Sequence, residues 1–368
     1  MKITRIEPIL LNLKLDLSGG APVPMRGGVP APNQQSLLVR IDTDEGITGW
    51  GEAFALSAGA ITHAAIEKML APRLIGRDAS QIAPLMRETM RGLYSAGRSG
   101  PVMSGISGID IALWDIAGKK AGLPLYKLLG GAAKTSLPAY ASLMRYGDPV
   151  AVARYTREAL DRGYKVIKLH EHTWDNIQAS RRAAGEGVPI MVDCTTPWTV
   201  NEAIAMSRKL EPLDLMWLEE PIYPPDDHGG LARLRSVSRI PVAAGENVSN
   251  VMEFKRLFEI GALDYAQPSI TKVGGVSEQR KIFALAETFG VTVVPHSPYF
   301  GPGLLASVHV CATVPQPTWV ERYYADFELH PFGDTIHVGA KSGEIAVPQV
   351  PGVGPVPDEV VIAKLRVA

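Results

Sequence analysis

The sequence predicts an α/β protein in which a barrel of alternating strands and helices follows an α+β module. Two observations carry this. From about residue 135 onward, short apolar strands alternate with amphipathic helices, and the strands begin roughly 22–29 residues apart, the repeat of a βα unit. Before that point, two long alternating strands are followed by helical patterns with no such repeat. A third observation bears on chemistry: nearly every strand of the repeating part ends in an ionisable or polar residue.

Residues 2–15 and 36–52 read as the strands of the first module. The second run lies in SLLVRIDTDEGITGWGEA, where Thr43-Asp44-Glu45-Gly46 is a hairpin turn and Gly46 suits a positive φ. Helical patterns follow around 60–75, 80–94 and 101–121. Between the two strands, DLSGGAPVPMRGGVPAP (16–32) is rich in Gly and Pro and reads as a loop of the kind that serves as a lid. The module spans 1–128 and the barrel 129–330. A Gly/Pro-rich tail, 331–368, is expected to return to the first module.

Eight strands are legible in the barrel: LPAYAS (137–142), VIKLH (166–170), PIMVDC (189–194), LMWLEE (215–220), PVAAGE (241–246), LDYAQP (263–268), VTVVPH (291–296) and TWVER (318–322). With helices between them they suggest a closed barrel of the TIM type, which carries its chemistry at the C-terminal ends of its strands.

The 368 residues are 46% apolar and 20% charged, with a net charge of -1, ordinary values for a soluble globular protein. Lysines and arginines are scattered, with no basic stripe for nucleic acid. No apolar run is long enough to span a membrane. MKITRIEPILLNLKL alternates like a strand and lacks a cleavage site, so it does not read as a signal peptide. Cys194 and Cys311 are the only cysteines, which excludes a disulfide framework and makes the cytoplasm the default expectation.

At the strand ends stand Tyr140 and Ser142, Lys168 and His170, Asp193, Glu219 and Glu220, Glu246 and Asn247, Ser269, His296 and Glu321. A structural barrel has no reason to converge so many charges on one rim, because unpaired buried charge is expensive. Asp193, Glu219 and Glu246 end three successive strands, and adjacent strands lie about 4.8 Å apart. Three carboxylates so close repel one another unless a cation compensates. All-oxygen ligands favour a hard ion, Mg²⁺ first and Mn²⁺ second. Glu220 points the other way by strand alternation. Lys168 and His170 share one face of their strand, and a lysine beside a cation is expected to lose its proton more readily, as a general base needs. His296 stands across the barrel mouth from them.

These segments resemble the enolase superfamily, specifically the mandelate racemase subgroup of the mandelate racemase/muconate lactonizing enzyme family. GYKVIKLHE, IMVDCTTPW, MWLEEP, PVAAGEN, QPSITKVGG, VVPHSPYFG and TWVER occur in the family's order, and GIDIALWDIAGKKAGLPLYKLLGG resembles its approach to the barrel. The resemblance implies a modified TIM barrel, (β/α)₇β, under an α+β capping domain formed by the N-terminal region and the C-terminal tail. It implies one Mg²⁺ on Asp193, Glu219 and Glu246, a symmetric homo-oligomer, and removal of the proton α to a carboxylate to give a metal-stabilised enediolate. A Lys or His base with Mg²⁺ is the general pattern of such sites.

Two departures stand out. The subgroup's second strand carries Lys-x-Lys, whereas here His170 occupies the second position and Lys168 the first, so that Lys168, His170 and His296 are all candidate bases. The subgroup's histidine pairs with an aspartate on the sixth strand, whereas here Ser269 stands there. A hydroxyl cannot stabilise an imidazolium as a carboxylate does, which makes His296 the readier acid. Glu321 matches a glutamate that, when protonated, donates to the substrate carboxylate. Tyr140, Asn247 and Ser269, with Arg26 from the 16–32 loop, complete the substrate-binding candidates. The expected activity is a hydro-lyase reaction, dehydration of a small sugar-acid carboxylate. The alternatives are an isomerase that opens a sugar-acid lactone or anhydro-acid (a cycloisomerase) and a racemase or epimerase of a 2-hydroxy acid. A non-catalytic metal- or ligand-binding scaffold is the alternative from a different class.

Overall fold

The computed structural model describes residues 1–18, 25–26, 29–333, 338–339 and 342–367. The first part is a three-stranded antiparallel sheet, β1 (Ile3–Lys14), β4 (Asn33–Thr43) and β5 (Thr48–Ala53), in that order. Two short strands, β2 (Met25–Arg26) and β3 (Val29–Pro30), pair with each other within the 16–32 segment. The β4–β5 turn carries Gly46 at φ 76. Helices α1 (Gly59–Ala65) and α2 (Ala71–Leu74) follow, joined through a π-helical turn at Ile66–Leu70. The sequence pattern shows one helix over this stretch, because a single wide turn hardly disturbs the apolar spacing. Next come α3 (Ile82–Gly92), α4 (Gly100–Ala121) and α5 (Leu125–Leu128).

Helix α4 organises the module. It is apolar on nearly every side and ends at Gly122, whose φ of 68 suits glycine. Ile106, Ile109, Leu113 and Ile116 are fully buried and share a core with Ile3, Leu37, Val39 and Ile41 of the sheet. Each such side chain contributes about 1.5–3 kcal/mol. Gly49 and Gly51 of β5 let the helix approach: a Cβ on Gly51 would lie 1.9 Å from the Gly108 carbonyl oxygen.

The second part is a curled parallel sheet in the order β12 (Thr292–Val293), β11 (Tyr265–Ala266), β10 (Val242–Ala244), β9 (Trp217–Glu219), β8 (Ile190–Asp193), β7 (Ile167–Leu169), β6 (Ser136–Ser142), β13 (Val320–Tyr323). Seven helices connect them: α6 (Pro149–Asp161), α7 (Trp174–Ala184), α8 (Val200–Leu210), α9 (His228–Val237), α10 (Val251–Glu259), α11 (Gly275–Phe289) and α12 (Pro302–Ala312). Their starts are signalled locally. Asp148 caps α6 ahead of Pro149, Thr199 and Glu202 form a capping box on α8, and Asn250 caps α10.

Among the described residues β12 and β13 share no backbone ladder. Side chains span the seam instead: the Thr318 hydroxyl donates to the Val293 carbonyl at 2.8 Å, and Ser297 Oγ accepts from the Glu321 amide at 3.1 Å. Along the C-terminal tail, β14 (Glu344–Ala346) pairs antiparallel with β6, while α13 (Glu359–Leu365) packs on β1, beside the Val367 amide that donates to Leu10. The tail therefore touches both the barrel and the N-terminal sheet.

Candidate active site

Asp193 and Glu219 close β8 and β9 and stand opposite each other in the ladder. Glu246 follows β10 after Gly245, whose φ of 122 suits glycine and where a Cβ would lie 2.8 Å from the Phe254 ring. One carboxylate oxygen from each of the three lies within 4.8 Å of the others. Burial, with repulsion from Asp193, Glu321 and Glu246, pushes the Glu219 carboxyl up to about 8 against the pull of Lys168. Four carboxylates thus crowd together, and the three that converge are all hard oxygen donors. The set fits a divalent cation such as Mg²⁺.

Lys168 stands among these anions. Its fully buried ammonium lies 2.5 Å from Glu219 Oε1, 3.0 Å from Glu321 Oε1 and 3.1 Å from Asp193 Oδ2. Burial alone lowers its pKa, but the three carboxylates outweigh burial and hold it well above the ordinary lysine value. The lowered lysine value expected from the sequence belongs to the site with a cation held by these same carboxylates.

The two histidines approach the cluster from opposite ends. His170 Nδ1 lies 2.6 Å from the Leu143 carbonyl, to which it donates, so Nε2 is turned inward, 3.4 Å from Asp193 Oδ2. Burial disfavours its charged form, but Asp193 outweighs this and raises its pKa. His296 Nδ1 lies 3.0 Å from Ser269 Oγ and 3.3 Å from the Tyr299 hydroxyl, and its Nε2 lies 3.2 Å from Glu246 Oε2. Ser269 and Tyr299 are themselves hydrogen-bonded. Burial holds His296 below the ordinary histidine value in spite of Glu246 and Glu321.

Glu321 accepts from Ser142 Oγ at 2.8 Å, from Lys168 and from the Ser297 amide at 3.1 Å. Burial works to raise its pKa, but Lys168 and His296 hold it below the carboxylate range, so it is an ionised acceptor here. Arg322 does not pair with it and donates to the Tyr323 carbonyl. Tyr140 lies in the barrel interior, edge-on to Trp217 and fully buried, with Glu321, Lys168, Glu219 and Asp193 close enough to act on its hydroxyl. Asn247 donates to Glu246 Oε1 at 3.2 Å, and Glu220 accepts from the Gly245 amide at 2.9 Å, with no lysine among the described residues hydrogen-bonded to it. Arg26 lies in β2, and its side chain is outside the described residues.

Two residues at the site escape a search of strand ends. Lys272 lies three positions past Ser269, and its ammonium is 3.0 Å from Asn247 Oδ1, 3.7 Å from Glu246 Oε1 and 4.1 Å from the Phe54 ring centroid. Trp217 donates from its indole to Glu219 Oε2 at 3.0 Å. Two-residue alternation from Glu219 could have pointed to Trp217; the sequence carries no comparable signal for Lys272.

Residues 151–361 match the model of the enolase C-terminal domain-like family, and residues 21–130 match the mandelate racemase / muconate lactonizing enzyme N-terminal domain. The chain belongs to the enolase superfamily, in the mandelate racemase/muconate lactonizing enzyme family. Among its enolase-superfamily relatives, arabinonate dehydratase of Saccharolobus solfataricus is 33% identical over 339 residues, 89% of each chain. The 3,6-anhydro-alpha-L-galactonate cycloisomerase of Streptomyces coelicolor is 34% identical over 339 residues, 90% of this chain and 91% of that one. A racemase from Streptomyces coelicolor A3(2), solved with bound magnesium, superposes with a TM-score of 0.88 at 30% identity, covering 99% of this chain and 100% of its own. The barrel with its cap is thus the enolase-superfamily fold, and a magnesium ion is present in a close structural neighbour of a chain whose own Asp193, Glu219 and Glu246 converge. No helix among the described residues is long and apolar enough to cross a membrane.

Proposed function

We propose that this enzyme dehydrates a sugar acid, removing the proton α to the carboxylate and then expelling a β-hydroxyl. The observation that carries the reading is the placement of the two imidazoles, His170 at Asp193 and His296 at Glu246, with both Nε2 atoms turned toward the carboxylate cluster. Dehydratases and cycloisomerases among the relatives support acid-sugar chemistry of this class.

Asp193, Glu219 and Glu246 are the residues that hold Mg²⁺, or Mn²⁺ in its place. Bound there, the ion supplies Lewis-acid stabilisation of the negative charge that develops on the substrate carboxylate. His170 is the base. Its Nδ1–H is committed to Leu143, so the neutral ring presents a lone pair at Nε2. That atom takes the α-proton, and the C–H electron pair passes into the carboxylate as an enediolate. The pair then returns to form the C2–C3 double bond as the C3–O bond breaks, and His296 Nε2 gives its proton to the departing oxygen. Water leaves, and the enol tautomerises to a 2-keto-3-deoxy acid. Lys168 stays cationic among its carboxylates and orients the substrate's negative end.

Ser269 supports the acid role of His296. A neutral hydroxyl partner does not stabilise an imidazolium, so the ring gives its proton up readily, whereas an epimerase needs two competent bases. A second reading, opening of an anhydro-acid or lactone with the leaving oxygen tethered, uses the same residues, and the Streptomyces coelicolor cycloisomerase supports it. Incubation with Mg²⁺ and a panel of aldonic and aldaric acids, followed by semicarbazide detection, is expected to reveal a 2-keto acid. Ring opening of a lactone or anhydro-acid without loss of water favours the second reading; absence of any keto product from the whole panel of open-chain acids counts against the first.

A further inference from the structure

An arginine past the end of β6 has no acid to pair with among the described residues. Arg145 lies three residues beyond the end of β6, and its described partners are the two ring nitrogens of His172, Nε2 at 2.8 Å and Nδ1. Among the described residues no carboxylate forms an ion pair with it. The acid beside it is already committed. Glu171 is buried and accepts from the Tyr146 amide at 2.8 Å, the Gly147 amide at 2.9 Å and Asn176 Nδ2 at 2.7 Å. These bonds pin the loop that carries Arg145 without neutralising its guanidinium. Met144 and Tyr146, on either side, line a cavity on the barrel flank with Tyr155, Arg162 and Tyr324. Arg145 itself turns to His172, which follows β7 at the same end of the barrel as His170.

The Arg145–His172 pair repeats, one step farther out, the contact between Leu143 and His170. Two residues of extended chain reach at most about 7 Å. In a six-carbon acid with C2 at His170, the four carbon–carbon bonds from C2 to C6 span roughly 5 Å. A charge-assisted hydrogen bond closes the remainder.

We propose that Arg145 and His172 form a subsite for a second carboxylate at the far end of the substrate, so that the preferred substrate is an open-chain aldaric acid, a sugar diacid. The subsite rests on the reading that His170 addresses C2. The product is then a keto-deoxy diacid, formed by loss of one water with both carboxylates retained. A guanidinium suits this task because its fork matches a carboxylate bidentately, which a lysine cannot do.

The test is calorimetric binding of paired hexaric and hexonic acids of the same configuration (galactarate with galactonate, glucarate with gluconate) to the full chain with Mg²⁺, with keto-acid formation assayed in parallel. For at least one pair the diacid binds roughly 10- to 100-fold tighter. In Arg145→Met that preference disappears while the monoacid affinity is unchanged, and Arg145→Lys restores part of it. Equal binding of diacid and monoacid in every pair overturns the subsite, even if the protein turns over a monoacid. Preference for a diacid that depends on Arg145 but yields no keto product leaves the subsite standing and removes the dehydratase reading.

Discussion

Glu219 meets the most demanding environment of any residue at the site. Its two oxygens take hydrogen bonds from Lys168 and the Trp217 indole, and three other acids surround it. Replacing one oxygen by an amide nitrogen removes a ligand and a negative charge with little change of shape. Glu219→Gln is expected to lower activity on the order of 10²–10³-fold and to weaken Mg²⁺ binding measured by calorimetry; unchanged metal affinity removes Glu219 from the ligand set. The three metal-binding candidates were legible because each closes a strand of a repeating unit or, like Glu246, lies just past one. The set of anions that turns toward the Lys168 ammonium was not, because it is a matter of side-chain direction across four strands. Lys272 and Arg145 were missed for a related reason: Arg145 lies three residues past β6 and Lys272 six past β11, where alternation no longer says which way a side chain faces.

At the scale of elements, close approach decides more than propensity. Strand β5 lies against α4 through Gly49 and Gly51, and the backbone of Gly108 fills the space a side chain needs. Gly51→Ala is expected to cost about 3 kcal/mol, read as a lowered midpoint in urea unfolding; a cost near zero shows that the sheet and helix can separate freely. On α12, His309 Nε2 donates to the Val353 carbonyl at 2.9 Å and Nδ1 accepts from the Tyr126 amide at 3.3 Å, tying the tail to the barrel. Burial lowers its pKa to about 4. The native state therefore binds fewer protons than the unfolded chain between about pH 4 and pH 6.5. The stability His309 contributes is complete above that window and is lost as the pH falls through it, by about 2 kcal/mol between pH 7 and pH 5. His309→Gln should lose less stability than the parent over that interval in thermal melts; equal losses assign the acid sensitivity to other groups. The repeat of strands and helices was readable from spacing, but strand lengths were not. β11 and β12 shrink to two residues each, because much of what reads as apolar strand runs on as buried coil past the ladder.

At the scale of the molecule, the cap and barrel are joined through buried polar contacts. Glu52 of β5 accepts from the Phe300 amide at 3.2 Å and the Gly303 amide at 3.0 Å, placing a carboxylate at the start of α12. Asp110 of α4 accepts from the Ser277 amide at 3.0 Å in the first turn of α11. Lys272 sits over Phe54 while its other contacts lead to Asn247 and Glu246. The cap thus reaches the residues beside the metal-binding candidates through the loops after β11 and β12. A single sequence separates the two modules by pattern but does not show which polar residues cross between them, since Glu52 and Asp110 lie within otherwise apolar elements. What these contacts hold in place is the pair of imidazoles, His170 at Asp193 and His296 at Glu246. The most direct test follows the wild type and His296→Asn by NMR in D₂O with Mg²⁺ and a turned-over acid. The wild type is expected to give a 2-keto-3-deoxy product with deuterium at C3, while His296→Asn exchanges the C2 proton and forms little product. Deuterium at C2 of recovered acid with no product from the wild type, or undiminished elimination by His296→Asn, contradicts this division of labour.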